Sequence, residues 1–356
     1  MGSAERESES KDAQLDADRG SKSPLNPAAQ AFKPSPTSFS PRTTSEVWFP
    51  DGGIIIVCGS SGFRIHGGFL AFKSAVFKDM FAAGDADAGA NETSEGCMVV
   101  RLPDDAADMV RLLDALYSPR KYFKGKAELS FDIMNSLLKL ATKYRFTELR
   151  ADLVELLVDM FPSDREKYTL EPPPNIAGDP YLDPIAAVEF GLTYNIPAIL
   201  PAACYEVAMM GMETLFNTES LFGLHGAQPM EVSRTTLRTC TVFLHKWHAA
   251  VEEALDADNL DCEDPWVGTC PECDGFPDRQ MRQAVERRYR LLDRDIFTKQ
   301  NAHSSRAIVV EGLADCCESC LEGLDRFDDS VRDALWLKLP SLCGYDNWDA
   351  INEAEV

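Results

Sequence analysis

The chain has 356 residues, which is more than one small domain requires and enough for two domains with flanking segments. Its hydrophobic content of 45% is typical of a protein with a packed core. The formal net charge of −23 argues against direct nucleic-acid binding and against docking on an anionic membrane, because both need a positively charged surface.

Hydropathy and cysteine content predict the compartment. No apolar run is long enough to span a bilayer, and the first residues contain no apolar signal core. We therefore expect an intracellular protein, in the cytoplasm or the nucleus, whose 11 cysteines are reduced thiols or metal ligands. Residues 1–45 are rich in Ser, Pro, Glu and Asp. They are predicted to be a disordered tail, because their few large apolar residues cannot offset the entropy lost on ordering.

Residues 51–81 predict a compact run of two strands and two short helices. The β-branched residues 54–57 lie between glycines and predict a buried strand. The Gly-rich stretch 59–62 predicts a turn, and residues 63–66 predict the returning strand. Apolar residues then recur at helical spacing, with Ser74 placed to cap the second helix.

A third strand and further helices follow an acidic loop of small residues at 82–96. Residues 98–102 predict the strand, and the turn at 103–105 is suited to capping the next helix. That helix has a broad apolar face made of Met109, Val110, Leu112, Leu113, Leu116 and Tyr117. Residues 131–161 predict a pair of amphipathic helices joined near residues 144–147.

This order of elements resembles the BTB/POZ domain, a protein-interaction module, and we place such a domain at residues 46–162. The chain also resembles a fungal, basidiomycete-like group of BTB-containing proteins with a Cys-containing helical tail, firmly over about residues 47–161 and more loosely beyond. The resemblance implies an α/β N-terminal domain, a small sheet flanked by helices, followed by a mostly α-helical C-terminal domain. It also implies a structural role for His66. The sequence contains no nucleophile elbow, phosphate loop or kinase motif set, so we expect no enzymatic activity.

The remaining chain divides by composition into three segments. Residues 163–180 are Pro-rich and predict a stiff linker, residues 181–348 predict the helical C-terminal domain, and residues 349–356 predict an acidic tail. Within the helical domain, residues 218–256, 277–297 and 308–339 have helical patterns, with Pro340 closing the last of them.

A weak internal repeat relates the two regions. Residues 140–149 resemble residues 190–199, since each has a helix that ends at a tyrosine and a new helix that begins just after it. Residues 181–212 therefore predict a second helical hairpin stacked after the first. Chance similarity between two amphipathic hairpins is the alternative.

Two C-x-x-C pairs, Cys270 with Cys273 and Cys317 with Cys320, form the strongest candidate for a bound cofactor. Two such pairs can supply four thiolates to one tetrahedral Zn²⁺ ion, and a site filled by sulfur alone is structural. The gap between the pairs is longer than in zinc ribbons, so a helical hairpin would have to bring them together. The resemblance to the fungal group favours zinc, and reduced cysteines in a loop and on a helix are the alternative.

Three functions remain open. The first is a non-enzymatic interaction module, through BTB self-association or partner binding, with Trp48, Phe49, Phe69 and Phe72 as candidate interface residues that are equally suited to a core. The second is a substrate adaptor of a cullin-based ubiquitin ligase, although residues 82–96 lack the apolar-x-acidic motif that such adaptors often carry. The third is a transcriptional regulator or cofactor, although no C₂H₂ spacing is present.

Overall fold

The computed structural model describes residues 40–41, 47–86, 92–123, 129, 131–170, 184–217, 220–221, 230–255, 286, 289, 296–297 and 317–354. Apart from residues 40–41, the predicted disordered tail lies outside the described residues. Most of the helix predicted at 277–297 also lies outside them.

A five-stranded mixed sheet forms the base of the N-terminal domain. Its strands are β1 (Ser40–Pro41), β2 (Ile54–Cys58), β3 (Ser61–Ile65), β4 (Thr93–Ser94) and β5 (Cys97–Leu102), in the spatial order β1-β3-β2-β5-β4. The three predicted strands correspond to β2, β3 and β5. Strand β2 runs antiparallel to β3 and parallel to β5, and the two helices between β3 and β5 provide the crossover that a parallel pair requires.

Strand β2 is buried on both faces of the sheet, which explains its continuous run of β-branched residues. Ile56 faces the main core and Ile55 faces a second, smaller cluster, because successive side chains of a strand point in opposite directions. The hairpin to β3 turns at Gly59, whose φ of 57° lies in the left-handed region that favours glycine.

The described part of the N-terminal domain contains six helices, of which five follow the predicted order and the short fourth one was not predicted. They are α1 (Gly67–Lys73), α2 (Ala75–Ala86), α3 (Ala106–Tyr117), α4 (Arg120–Phe123), α5 (Phe131–Tyr144) and α6 (Thr147–Met160). The predicted cap at Ser74 is confirmed, because its Oγ accepts from the Phe77 N–H at 3.1 Å. The same hydroxyl donates to the carbonyl of Tyr144, which ties the start of α2 to the end of α5. Asp105 caps α3 by accepting from the Ala107 N–H at 2.8 Å.

The C-terminal region is mostly helical. Its elements are α7 (Arg165–Leu170), α8 (Pro184–Thr193), a 3₁₀ turn (Pro197–Ile199), α9 (Leu200–Met210), α10 (Met212–Asn217), β6 (Ser220–Leu221), β7 (Met230–Glu231), α11 (Arg234–Ala254), α12 (Glu318–Cys343) and α13 (Trp348–Ala354). The segment predicted as a linker thus begins with the short helix α7. The segment predicted as an acidic tail begins within α13, where Ile351 is fully buried.

The internal repeat predicted from the sequence has a matching backbone geometry. Arg145 and Asn195 each have a φ of 53°; Arg145 follows Tyr144, the last residue of α5, and Asn195 follows Tyr194, one residue past the end of α8. The next residue donates to the carbonyl five positions earlier in both hairpins, Phe146 to Ala141 and Ile196 to Gly191, each at 2.9 Å. Both helices therefore end in the same left-handed capping turn.

The two hairpins also contact each other through these turns. Arg150 of α6 donates to the carbonyls of Tyr194 and Asn195 at 3.1 and 3.2 Å. The Tyr194 hydroxyl donates to Asn135 Oδ1 in α5 at 2.5 Å. The second hairpin therefore packs directly on the first, as the sequence predicts.

Pro340 does not close the last long helix. Helix α12 continues to Cys343 and ends at Gly344, whose φ is 96°. A proline has no N–H to donate to the carbonyl four residues earlier, which here belongs to Trp336. That carbonyl instead accepts from Trp348 Nε1 at 3.2 Å, so the helix continues without leaving it unpaired.

One hydrophobic core runs through both regions. It extends from Phe63 in the sheet through Leu153 in α6 to Trp247 and Leu335 in the C-terminal helices. The described residues from 40 onward belong to one compact unit. Among the helices that the structure describes, none combines the length and apolar character needed to cross a membrane.

Candidate interaction surface

Residues 47–52 run along β3 and determine the positions of Trp48 and Phe49, two of the predicted interface residues. Trp48 forms an isolated parallel bridge with Arg64 in β3, and the Phe49 N–H donates to the Arg64 carbonyl at 2.9 Å. The Gly52 N–H donates back to the Phe49 carbonyl at 2.9 Å, which closes a turn. Arg64 Nε donates to the Gly52 carbonyl at 2.8 Å, so hydrogen bonds to β3 fix the turn that carries Phe49.

The turn brings Phe49 into an aromatic cluster with His66, Phe69 and Tyr117. The ring centre of Phe49 lies 4.8 Å from that of His66 and 4.7 Å from that of Tyr117. The Phe69 ring centre lies 4.8 Å from that of Tyr117. These separations are within the range of favourable ring contacts, and all four side chains are half-buried.

Polar groups hold this aromatic cluster together. The Tyr117 hydroxyl accepts from the His66 N–H at 3.2 Å and lies 3.3 Å from His66 Nδ1. His66 Nε2 lies 3.3 Å from Asp51 Oδ1, and this hydrogen bond holds the pKa of Asp51 below its ordinary value. Burial raises the pKa of Tyr117. His66 therefore links the turn, the start of α1 and the end of α3, which is a structural role.

Phe72 is the exposed member of the predicted set. Its side chain is 79% exposed, whereas Leu70, two residues earlier in α1, is fully buried. Phe69 and Phe72 are three residues apart and are therefore neighbours on the helix surface. Lys73 lies beside them, with its Nζ 5.6 Å from the centre of the Phe72 ring and in an ion pair with Glu148. We call Phe72 together with the aromatic cluster the aromatic surface.

Trp48 lies apart from this surface. It is half-buried and packs against a cluster on the opposite face of the sheet, formed by Ile55, Val57, Cys97 and Val99. The structure thus brings Phe49 and Phe69 to the same tyrosine, Tyr117, and places Phe72 next to Phe69 on α1, whereas Trp48 lies elsewhere.

The candidate zinc ligands are described only in part. Cys317 is the N-cap residue of α12 and Cys320 lies in its first turn, both half-exposed. Cys270 and Cys273 lie outside the described residues. Within the described part of the chain, no group of three or more His, Cys, Asp and Glu side chains is placed to hold a metal ion.

The sequence did not assign Asp51 or Tyr117 to the surface. In the sequence, Tyr117 is only one more apolar residue on the face of α3. Its hydroxyl contacts His66, which lies 51 positions earlier in the chain. Asp51 is an ordinary turn residue, and only its contact with His66 distinguishes it. Neither contact has a local sequence signature.

The sheet flanked by helices defines an α/β domain followed by a helical region. Residues 53–160 match the family of the BTB/POZ domain, and this part of the chain is a BTB/POZ domain, as predicted. Domains of this family mediate protein–protein interactions. The match is to the domain family as a whole and ends before the C-terminal helices. No curated protein matches the chain.

Proposed function

We propose that this protein works by protein–protein contact and that its BTB/POZ domain self-associates through the aromatic surface. The observation that carries the proposal is the exposure of Phe72, at 79%, beside a half-buried aromatic cluster. Such a side chain gains the most by being covered, because aromatic residues contribute disproportionately to interface energies. Hydrogen bonds hold the neighbouring rings in place before association, so little ordering entropy would be lost.

A matched pair of alanine variants tests this proposal. Truncating a central aromatic residue of an interface costs about 2–4 kcal/mol, so Phe72→Ala is expected to weaken self-association roughly 30- to 1,000-fold. Phe216 in α10 is also largely exposed, at 58%, and Phe216→Ala is the control. Sedimentation equilibrium over a range of concentrations measures both. A monomeric wild-type protein, or equal weakening by the two variants, would refute self-association through this surface.

The second candidate is the substrate adaptor of a cullin-based ubiquitin ligase. It is supported by the helical region that packs on the BTB domain through a shared core, since such a region is suited to presenting a substrate at a fixed position. The loop at residues 82–96 counts against it, because the apolar-x-acidic motif is missing. A transcriptional regulator or cofactor is the third version of the interaction hypothesis.

Affinity purification with mass spectrometry distinguishes these versions. We propose that the protein is intracellular and belongs to the fungal group, a proposal supported by the resemblance of its C-terminal region. A fungal extract is therefore the source for the purification. Recovery of a cullin in stoichiometric amount would favour the adaptor. Recovery of the protein alone would refute the adaptor hypothesis and leave self-association. Recovery of a transcription factor together with the protein would favour the hypothesis of a transcriptional regulator.

A further inference from the structure

Helix α11 has a basic exposed side, although the chain has a formal net charge of −23. Four exposed residues make up this side, Arg234, Arg238, His245 and His248. They follow one another at spacings of four, seven and three residues, which places them along one line of the helix surface. The opposite side of α11, which includes Trp247, is buried. We call the four exposed residues the basic stripe.

Nearby carboxylates do not neutralise the stripe. No acidic residue occurs in the sequence between Glu231 and Glu252, so α11 itself supplies no carboxylate until its last turn. Among the described residues, the ion pairs of the C-terminal region use other cations, namely Arg165, Arg332 and Lys338. Neither arginine of the stripe pairs with a carboxylate in the described part of the chain. The stripe therefore keeps its charge available to a partner.

The stability of α11 does not explain this distribution of charge. Arg234 lies in the first turn, where the helix dipole disfavours a cation, and Glu252 lies in the last turn, where the dipole disfavours an anion. Ser233 caps the helix instead, because its Oγ accepts from the Thr236 N–H at 3.1 Å. The arginines are exposed, so packing of the core does not require them. Neither local stability nor packing therefore accounts for the stripe.

The length and chemistry of the stripe fit an extended acidic peptide. From Arg234 to His248 the stripe is about 21 Å long, at about 1.5 Å per helical residue, and an extended segment of about six or seven residues spans this length. An arginine binds a carboxylate with two parallel hydrogen bonds, and each histidine ring offers an N–H donor. Val242 lies one turn after Arg238 and is 42% exposed, so it offers an apolar contact beside the charges.

We propose that the basic stripe binds an acidic peptide segment of another protein, with carboxylates facing Arg234 and Arg238 and an apolar side chain covering Val242. The stripe contains none of the residues of the aromatic surface, so this is a second interaction surface. The net charge of the chain does not prevent such binding, because charges more than about 8 Å apart are largely screened at physiological ionic strength. A nucleic acid fits less well, since phosphates beyond the stripe would lie beside a chain that is mostly acidic.

Fluorescence anisotropy with the full-length protein tests the proposal. The probe is a fluorescein-labelled glutamate peptide of about seven residues with a central leucine, and the same peptide with glutamine in place of glutamate is its control. We expect the glutamate peptide to bind, with an affinity that falls as the salt concentration rises, and the glutamine peptide not to bind. Failure of the glutamate peptide to bind, or equal binding of the two peptides, would overturn the proposal. Tighter binding of a single-stranded oligonucleotide would also overturn it, in favour of a nucleic acid.

Two variants with the same change in net charge locate the site. Reversing one exposed charge replaces an attraction with a repulsion, so Arg238→Glu is expected to weaken peptide binding roughly 2- to 30-fold. Arg326→Glu, at an exposed position of α12, is expected to preserve the affinity. The Tm of each variant shows whether the fold is retained. Equal affinities of the two folded variants would refute binding at the stripe, and the comparison of the two peptides on the wild type decides even if a variant fails to fold.

Discussion

Replacing Gly52 with alanine tests whether the aromatic surface depends on close packing of its turn against β3. A Cβ atom at position 52 would lie 2.8 Å from the Ile65 carbonyl oxygen and 2.9 Å from the Ile65 nitrogen. Both atoms belong to the backbone of a buried strand, so neither can rotate away. Either the turn or the strand has to move.

Two opposing effects determine how much Gly52→Ala changes the free energy of unfolding. Alanine restricts the unfolded chain and by itself stabilises the fold by about 0.4–1 kcal/mol. Overpacking a rigid site costs about 1–3 kcal/mol. Movement of the turn would also strain the bonds that Arg64 Nε and Cys97 Sγ make to the Gly52 carbonyl at 2.8 and 3.4 Å, each worth about 0.5–1.5 kcal/mol. The net expectation for Gly52→Ala is a loss of about 1–3 kcal/mol.

The adjacent residue supplies the control. A Cβ at Gly53 meets nothing within 4 Å, so Gly53→Ala is expected to leave the stability unchanged or to raise it by up to about 1 kcal/mol. Denaturant unfolding of both variants and of the wild type measures the differences in free energy of unfolding. Because the turn carries Phe49, Gly52→Ala is also expected to weaken self-association. Equal midpoints for the two variants would show that the turn does not depend on this close approach.

Two further predictions concern the zinc site and the alkaline limit of stability. The double change Cys273→Ser with Cys320→Ser is expected to lower both bound zinc and Tm, and unchanged values would end the zinc hypothesis. Burial raises the pKa of Cys58 from 9.0, and that of Tyr194 from 10.0, to about 12 in the folded protein. Each group therefore makes its full contribution to the stability of the fold at pH values below its ordinary pKa. That contribution is lost as the pH rises toward about 12, by at most about 1.4 kcal/mol per pH unit for each group. Cys58→Ala and Tyr194→Phe are each expected to make the alkaline decline shallower than in the wild type, as measured by unfolding at several pH values.

The elements that sequence patterns predicted correctly depend on residues close together in the chain. The run of β-branched residues between glycines is sufficient for β2, because strand propensity and burial act on the same residues. The caps at Ser74 and Asp105 need only the next three residues to supply N–H groups. The same reason explains why the capping turns at Arg145 and Asn195 appear in the sequence as a repeat.

Features that depend on distant partners were not predictable in this way. Pro340 has the local signal of a helix end, and α12 passes through it because Trp348 supplies a hydrogen bond from the next helix. Trp48 and Phe49 are adjacent aromatics, and only the fold separates them onto different surfaces. For the zinc hypothesis, Cys317 and Cys320 have a clear local pattern, but a complete site would require ligands from elsewhere in the chain.

The contacts between the BTB domain and the C-terminal helices bear on how the protein presents its partners. Arg150 of α6 binds two carbonyls of the second hairpin, and Trp336 Nε1 of α12 donates to the Ser163 carbonyl at 2.8 Å. Arg165, just after the BTB domain, pairs with Asp333 of α12 at 2.6 Å. A continuous apolar core joins the same two regions, so their relative movement would expose buried surface and break these hydrogen bonds. The C-terminal helices are therefore held in a fixed orientation relative to the aromatic surface, which suits a scaffold that positions one protein against another.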